Sequence, residues 1–217
     1  MWDEVQAVLA QNRVERATGA RTKHPSLLGG LVFDATGERL TPTYAIKKGT
    51  RYRYYVSSSL VREAKGNRAG GWRLPAGDLE GVVISRLRTF FADPAALLDA
   101  VDNAPNGFGQ GLLIKRGRQI AEELSAETSD KAKATLMALV CRVTIYSDRI
   151  EIALCRGRAA ELLAGQSIDL AAQHQRSDPA SHDVMTLRLS ARLKRVGREM
   201  RMLVEGAGDQ TAADPSL

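Results

Sequence analysis

The stretch Thr41–Ser57, TPTYAIKKGTRYRYYVS, decides how the first part of this chain folds. Two segments rich in β-forming residues flank the turn sequence KKGT, so the stretch predicts a β-hairpin. Four of the five tyrosines of the chain lie in it, together with four cations around Gly49. Cations contact phosphates, and aromatic rings stack on bases or wedge between them, so the hairpin predicts nucleic-acid binding. An edge strand kept soluble by its charge is the alternative interpretation.

Positive charge is concentrated around this hairpin. Residues 13–73 hold 13 Lys and Arg against four Asp and Glu, a net charge of +9, whereas residues 74–217 hold 18 against 19, a net charge of −1. A concentrated basic field attracts polyanions and speeds their encounter with the protein. The charge distribution therefore favours nucleic acid over an acidic small molecule as the partner.

The composition also indicates the cellular compartment of the protein. Cys141 and Cys155 are the only cysteines and make no disulfide framework. The first residues, MWDE, are not those of a signal peptide, and no segment has the length of apolar sequence needed to cross a bilayer. We expect a reduced, cytoplasmic protein that does not contact a membrane.

The segments next to the hairpin predict a small sheet. The apolar run LLGGLVF, a turn around Gly37, the segment Arg39–Ile46 and the RYRYYVS segment read as a three-stranded antiparallel sheet with an exposed basic hairpin. Strand alternation places Arg51, Arg53 and Tyr55 on one face of the last strand. The same alternation leaves Tyr52 and Tyr54 open to either core packing or ligand contact.

The predicted fold class is α+β, a small antiparallel β-ribbon followed by a helical hairpin or bundle and further short strands. Apolar residues recur at helical spacing from Pro75 onward, and a tight β-hairpin is predicted around Ser147-Asp148. The predicted segments are a helix and linker at 1–26, the ribbon at 27–74, a helical region at 75–141, a β-rich part at 142–205 and a disordered tail at 206–217.

The stretch LLGGLVFDATGERLTPTYAIKKGTRYRYYVS resembles the zinc-ribbon segment of large serine recombinases, the resolvase/invertase-type enzymes of phage and mobile elements. The preceding WDEVQAVLAQNRVERATGAR resembles the end of the recombinase DNA-binding domain. RLPAGDLEGVVISRLRTFF and CRVTIYSDRIEIAL resemble the helices and closing strands that follow the ribbon. The resemblance covers Trp2 to Leu154. It implies binding of double-stranded DNA and pairing with other recombinase subunits through the helical region.

Two features depart from that family. The positions of its zinc-binding cysteines are occupied here by Phe33, Thr36 and Ser57, and no cysteine lies near Gly71-Trp72. Structural zinc needs about four thiolate or imidazole ligands, so no zinc is expected. Either the ribbon is held by packing, with Phe33 filling the vacated core, or it is weakened. The family's catalytic domain, with its nucleophilic serine, is also missing from this sequence.

No other constellation indicates catalysis or a metal. His24 has no evident Ser or Asp partner for a triad. Cys141, Cys155, His174 and His182 have unrelated spacings, and buried structural cysteine is the commoner state. The interpretation is the DNA-binding portion of a serine-type site-specific recombinase, which binds DNA without being catalytic itself. A stand-alone nucleic-acid-binding adaptor, a non-functional remnant and a protein-interaction module are the alternatives.

The candidate DNA contacts combine the hairpin cations with basic residues near it, and most are expected to meet phosphates. They are Arg21, Lys23, Arg39, Lys47, Lys48, Arg51, Arg53, Tyr55 and Arg68. A second basic cluster reads as a solvated face, with phosphate contact as the alternative. It comprises Arg192, Lys194, Arg195, Arg198 and Arg201. Trp72 is interpreted as a packing anchor.

Overall fold

The described part of the computed structural model consists of residues 26–62, 71–101, 109–125, 130–165, 183–196 and 199–204. The predicted N-terminal helix and C-terminal tail lie outside these residues, as do the candidate contacts Arg21, Lys23 and Arg68.

The described residues form a mixed α+β structure, which confirms the predicted fold class. The strands are β1 Val32–Asp34, β2 Leu40–Lys47, β3 Thr50–Ser57, β4 Arg73–Pro75, β5 Val140–Ile145, β6 Arg149–Cys155, β7 Val184–Val196 and β8 Glu199–Val204. The helices are α1 Ser58–Arg62, α2 Ala76–Ala92, α3 Pro94–Val101, α4 Gln110–Glu123, α5 Asp130–Leu139 and α6 Arg156–Leu163.

A three-stranded antiparallel sheet in the order β2-β3-β4 carries the basic hairpin. The prediction of three strands is correct, but the third strand is Arg73–Pro75 and not the LLGGLVF run. Residues 27–31 of that run form a turn, with Gly30 at a φ of 85°, and only Val32–Asp34 is extended. Leu74 is fully buried beside Tyr55, so burial of this leucine favours the observed pairing.

A five-stranded sheet in the order β1-β5-β6-β7-β8 holds the remaining strands. β1 pairs in parallel with β5, and the other neighbours pair antiparallel. The predicted hairpin around Ser147-Asp148 is confirmed as β5–β6. Along these strands buried and partly exposed residues alternate, so one face of the sheet belongs to the core.

The helices pack against that inner face. In α2 the buried positions follow helical spacing, and the chain breaks at Asp93-Pro94 before α3, as predicted. Helix α4 approaches α2 and α3 closely at Gly117, where a β-carbon would lie 2.3 Å from Leu97 Cδ1 and 2.6 Å from the Phe91 carbonyl oxygen. This contact leaves no space for a side chain larger than glycine.

One hydrophobic cluster joins both sheets and the helices. It runs from Leu28 and Tyr55 near the small sheet, through Leu87 of α2, to Ile152 of β6 and Leu187 of β7. The base of the hairpin is therefore attached to the same core as the large sheet. None of the helices in the described part of the chain is long and apolar enough to cross a membrane.

Candidate nucleic-acid interface

A tight turn shapes the end of the hairpin. Lys47 and Thr50 form the last pair of the ladder, and between them Lys48 and Gly49 have φ values of 49° and 80°. Two successive positive φ values define a type I′ turn, whose twist matches that of the flanking strands. Glycine adopts this conformation without cost, and lysine does so only with some strain. The turn keeps the strands paired to their ends.

The hairpin tip, defined as residues 44–52, extends past the third strand of the small sheet. β4 pairs only with Tyr54, Tyr55 and Val56, so the tip has no neighbour on that side among the described strands. Tyr44 is 59% exposed, Ile46 68% and Tyr52 45%. Large apolar side chains this exposed are what a contact surface displays.

The cations of the tip lie beside these rings. Lys47, Lys48 and Arg51 are all exposed. The guanidinium carbon of Arg51 lies 4.0 Å from the centroid of the Tyr44 ring. Because Tyr44 is paired with Arg53, Arg51 is its diagonal neighbour on the same face. The tip thus presents positive charge and planar groups together.

The base of the hairpin, defined as Arg53, Tyr55 and their partner Glu80, has the opposite character. Glu80 of α2 is only 5% exposed and accepts hydrogen bonds from Arg53 Nη1 and Nη2 at 3.2 and 3.0 Å and from the Tyr55 hydroxyl at 2.7 Å. It also accepts from the Leu27 backbone N–H at 2.9 Å, while the Leu28 N–H donates to the Tyr55 hydroxyl oxygen at 2.9 Å. Both Glu80 carboxylate oxygens and the Tyr55 hydroxyl thus have hydrogen-bond partners, as buried polar groups require.

The surroundings of Tyr55 keep its side chain in the neutral form. Burial raises the pKa of Tyr55 well above its usual range, and the neighbouring Glu80 carboxylate raises it further. The phenol therefore remains a hydrogen-bond donor to Glu80 over the physiological pH range.

Tyr55 and Arg53 are therefore removed from the expected set of DNA contacts. Tyr55 is fully buried, so its ring is not on the surface, and it holds β3 to α2. Arg53 is 25% exposed and has a bidentate interaction with Glu80. Strand alternation correctly put Arg51, Arg53 and Tyr55 on one face, but that face passes from solvent at Arg51 into the core at Tyr55.

Glu80 is the residue that sequence reasoning missed. It stands within the apolar stripe of α2, four residues after Ala76 and four before Ile84, both of which are buried. An acid inside such a stripe indicates a buried partner, because an unpaired buried carboxylate is costly. That signal was present in the sequence, although it does not say which cation is the partner.

The other candidate contacts separate into two groups. Lys47, Lys48 and Arg51 are brought together at the tip, whereas Arg39 is exposed just before the first residue of β2, at the opposite end of that strand. Tyr54 is 8% exposed, with the Arg73 guanidinium carbon 4.2 Å from its ring centroid, so it packs, whereas Tyr52 remains accessible. Trp72 packs against the core, as predicted.

Large serine recombinases, which this sequence resembles, have zinc ligands at the positions of Phe33, Thr36 and Ser57. Hydrogen bonds hold the chain at these segments. One oxygen of the Asp34 carboxylate accepts from the Thr36 N–H at 2.9 Å, the Thr36 hydroxyl at 2.7 Å and the Glu38 N–H at 2.8 Å. The buried Ser57 makes two hydrogen bonds with the backbone of Trp72. Its Oγ accepts from the Trp72 N–H at 2.8 Å, and its own N–H donates to the Trp72 carbonyl at 2.9 Å.

Phe33 does not fill the core at this site. Its ring is partly exposed, and the guanidinium carbon of Arg142 lies 4.0 Å from its centroid. Within the described ranges there is no group of three or more His, Cys, Asp and Glu residues that could hold a metal ion. Cys141 and Cys155 do not form a disulfide bond.

The second basic cluster lies on the hairpin of β7 and β8. Arg192 and Lys194 are exposed, and the strand register places them opposite Leu203 and Arg201. Arg198 lies outside the described residues, as do the side chains of Arg195 and Arg201.

A comparison of the chain with protein-family models, with curated proteins and with solved structures finds no match. The similarity to large serine recombinases therefore stays a prediction from the residues of the hairpin and its neighbouring segments.

Proposed function

We propose that the chain is the DNA-binding portion of a serine-type site-specific recombinase of a mobile element, and that it binds double-stranded DNA in the cytoplasm without catalysing strand exchange itself. The observation that carries the proposal is the exposed hairpin tip with its three cations and its exposed rings. The residue pattern that resembles the recombinase ribbon supports the recombinase assignment.

The shape of the tip suits a duplex. A two-stranded β-ribbon fits the major groove, which is about 12 Å wide. Lys47, Lys48 and Arg51 would contact the phosphates at the groove edges, and Tyr44, on the same face as Arg51, would face the base edges. The base of the hairpin supports this use, because the Glu80 cluster fixes the direction in which the tip projects.

We also propose that the helical region contacts other recombinase subunits. Leu112 in the first turn of α4 is 55% exposed. A leucine at this position offers an apolar contact to a second subunit.

Duplex binding across a salt series tests the proposal. The triple variant Lys47→Ala, Lys48→Ala, Arg51→Ala removes three charges from the tip. Each lost phosphate contact flattens the slope of log K against log salt by about 0.9, so the slope should fall by about 2.7. The matched control removes three exposed charges from the helices, with the substitutions Arg88→Ala, Lys115→Ala and Arg118→Ala, and should leave the slope nearly unchanged.

The alternatives predict different results in the same assay. Sequence-selective binding to the end of a mobile element supports the recombinase assignment, and equal affinity for unrelated duplexes supports a stand-alone adaptor. If the wild-type chain binds no duplex at low salt, the proposal fails, and the chain is a remnant or a protein-interaction module.

A further inference from the structure

A second surface of different geometry lies on the five-stranded sheet. Its outer face consists of the residues that alternate with the buried ones along each strand. The pairing partners form one row across it: Arg39 pairs with Phe33, Phe33 with Thr144, Thr144 with Glu151, and Glu151 with Arg188. Paired residues point to the same side of a sheet, so this row is continuous.

Two aromatic rings on this face each have an arginine guanidinium group stacked over them. Arg142 lies over Phe33 at 4.0 Å, and Arg149 lies over Tyr146 at 3.8 Å, both measured from the guanidinium carbon to the ring centroid. Each pair offers a planar, positively charged platform. Bases stack both on aromatic rings and on guanidinium planes.

The face is basic overall. It carries six cations, Arg39, Arg142, Arg149, Arg188, Arg192 and Lys194, against Glu151 and the turn residue Asp148, a net charge of +4. Glu151 binds Arg149 at 3.0 Å and Arg188 at 3.3 Å, and Asp148 binds Arg149 at 3.2 Å. The two acids therefore offset only part of the charge, and the Arg188 side chain is still 76% exposed.

We propose that the outer face of the five-stranded sheet binds single-stranded nucleic acid. A flat face touches only the outside of a duplex, whereas a single strand lies along the face and places its bases on planar groups. Arg188, Arg192 and Lys194 alternate along β7 and follow the phosphate chain. The Phe33–Arg142 and Tyr146–Arg149 pairs take bases. This surface is separate from the hairpin tip and does not depend on its role.

Fluorescence anisotropy with labelled oligothymidine and oligouridine of about 20 nucleotides at low salt tests the proposal, with a duplex of equal length beside them. The β7 triple variant carries Arg188→Ala, Arg192→Ala and Lys194→Ala. It should weaken single-strand binding by about tenfold or more, because three phosphate contacts are lost. The same triple variant should change duplex affinity by less than about threefold. The tip variant Lys47→Ala, Lys48→Ala, Arg51→Ala should show the reverse pattern. The two oligonucleotides show whether DNA or RNA is preferred.

A variant that keeps the charge tests stacking. Tyr146→Ala should weaken single-strand binding by about fivefold, the lower end of the range for one base–aromatic stack. Equal losses for the β7 triple variant and for Arg88→Ala, Lys115→Ala, Arg118→Ala would overturn the proposal, since net charge would then be the cause. Unchanged single-strand binding in the β7 triple variant would also overturn it. Loss of duplex binding by the tip variant, with single-strand binding retained, would leave this proposal intact whatever becomes of the recombinase assignment.

Discussion

The base and the tip of one hairpin use the same residue types for opposite purposes. Arg53 and Tyr55 at the base are bound to a buried carboxylate, and Arg51 and Tyr44 at the tip stack on each other in solvent. Only one residue along β3, Tyr52, separates Arg51 from Arg53. The difference arises because Glu80, 27 residues after Arg53, reaches the base and not the tip. The role of an arginine or tyrosine here depends on the distant residue that it meets.

The two regions also differ in what their loss would cost. At the base, removal of one partner leaves others buried without hydrogen bonds, so stability should fall. At the tip, the side chains are hydrated in the free protein, so substitution should alter binding and leave the fold unchanged. Stability and DNA affinity can therefore be measured as separate properties of neighbouring residues.

The largest effect is expected for Glu80→Ala. The substitution leaves Arg53, the Tyr55 hydroxyl and the Leu27 N–H without their acceptor. Loss of one partner of a buried pair costs about 3 kcal/mol of unfolding free energy. Urea denaturation measures it, with the exposed Glu122→Ala as the control, which should cost less than about 0.5 kcal/mol. Similar values for the two variants would show that the base cluster does not hold the hairpin.

A smaller effect is expected for Tyr55→Phe, about 1–2 kcal/mol at neutral pH, because the Leu28 N–H loses its acceptor and Glu80 loses a donor. The effect should also depend on pH. The pKa of Tyr55 is raised in the folded chain, so its contribution is complete below the unfolded pKa of about 10 and is lost as the pH rises above that value.

Unfolding free energies measured between about pH 9 and pH 11 check this sign. The wild type should lose stability over that interval by up to about 1.4 kcal/mol per pH unit more than Tyr55→Phe. The exposed Tyr52→Phe is the control and should follow the wild type. Parallel curves for wild type and Tyr55→Phe would mean that the phenol ionises freely in the folded chain.

Local pattern was enough to predict several of the elements of this fold. The hairpin, its turn, the helix break at Asp93-Pro94 and the β5–β6 hairpin follow from spacing and turn residues in sequence. The pairing of β1 with β5 did not follow, since the paired residues Val32 and Val143 are more than a hundred positions apart. A parallel pair with so long a connection has no turn signal, and only the shared core decides it.

The candidate site was predictable to the same extent. Exposure of Lys47, Lys48 and Arg51 follows from their place at a turn. Strand alternation showed that Tyr55 lies on the same face of β3 as Arg51. It did not show where along the strand that face becomes buried in the core. The third strand, Arg73–Pro75, is short and has one fully buried residue, Leu74, so little in its sequence indicates it. Without that strand, the boundary between base and tip could not be located.

The most direct test of the difference between base and tip compares Arg51→Ala with Arg53→Ala in the same duplex-binding salt series, with urea denaturation of both variants. Each substitution removes one arginine from β3, so net charge is matched. We expect Arg51→Ala to flatten the log–log salt slope by about 0.9 and leave stability unchanged. Arg53→Ala should lower the unfolding free energy by about 2 kcal/mol and leave the slope of the folded protein unchanged. Equal loss of slope in both variants, or a stability loss confined to Arg51→Ala, would contradict the account.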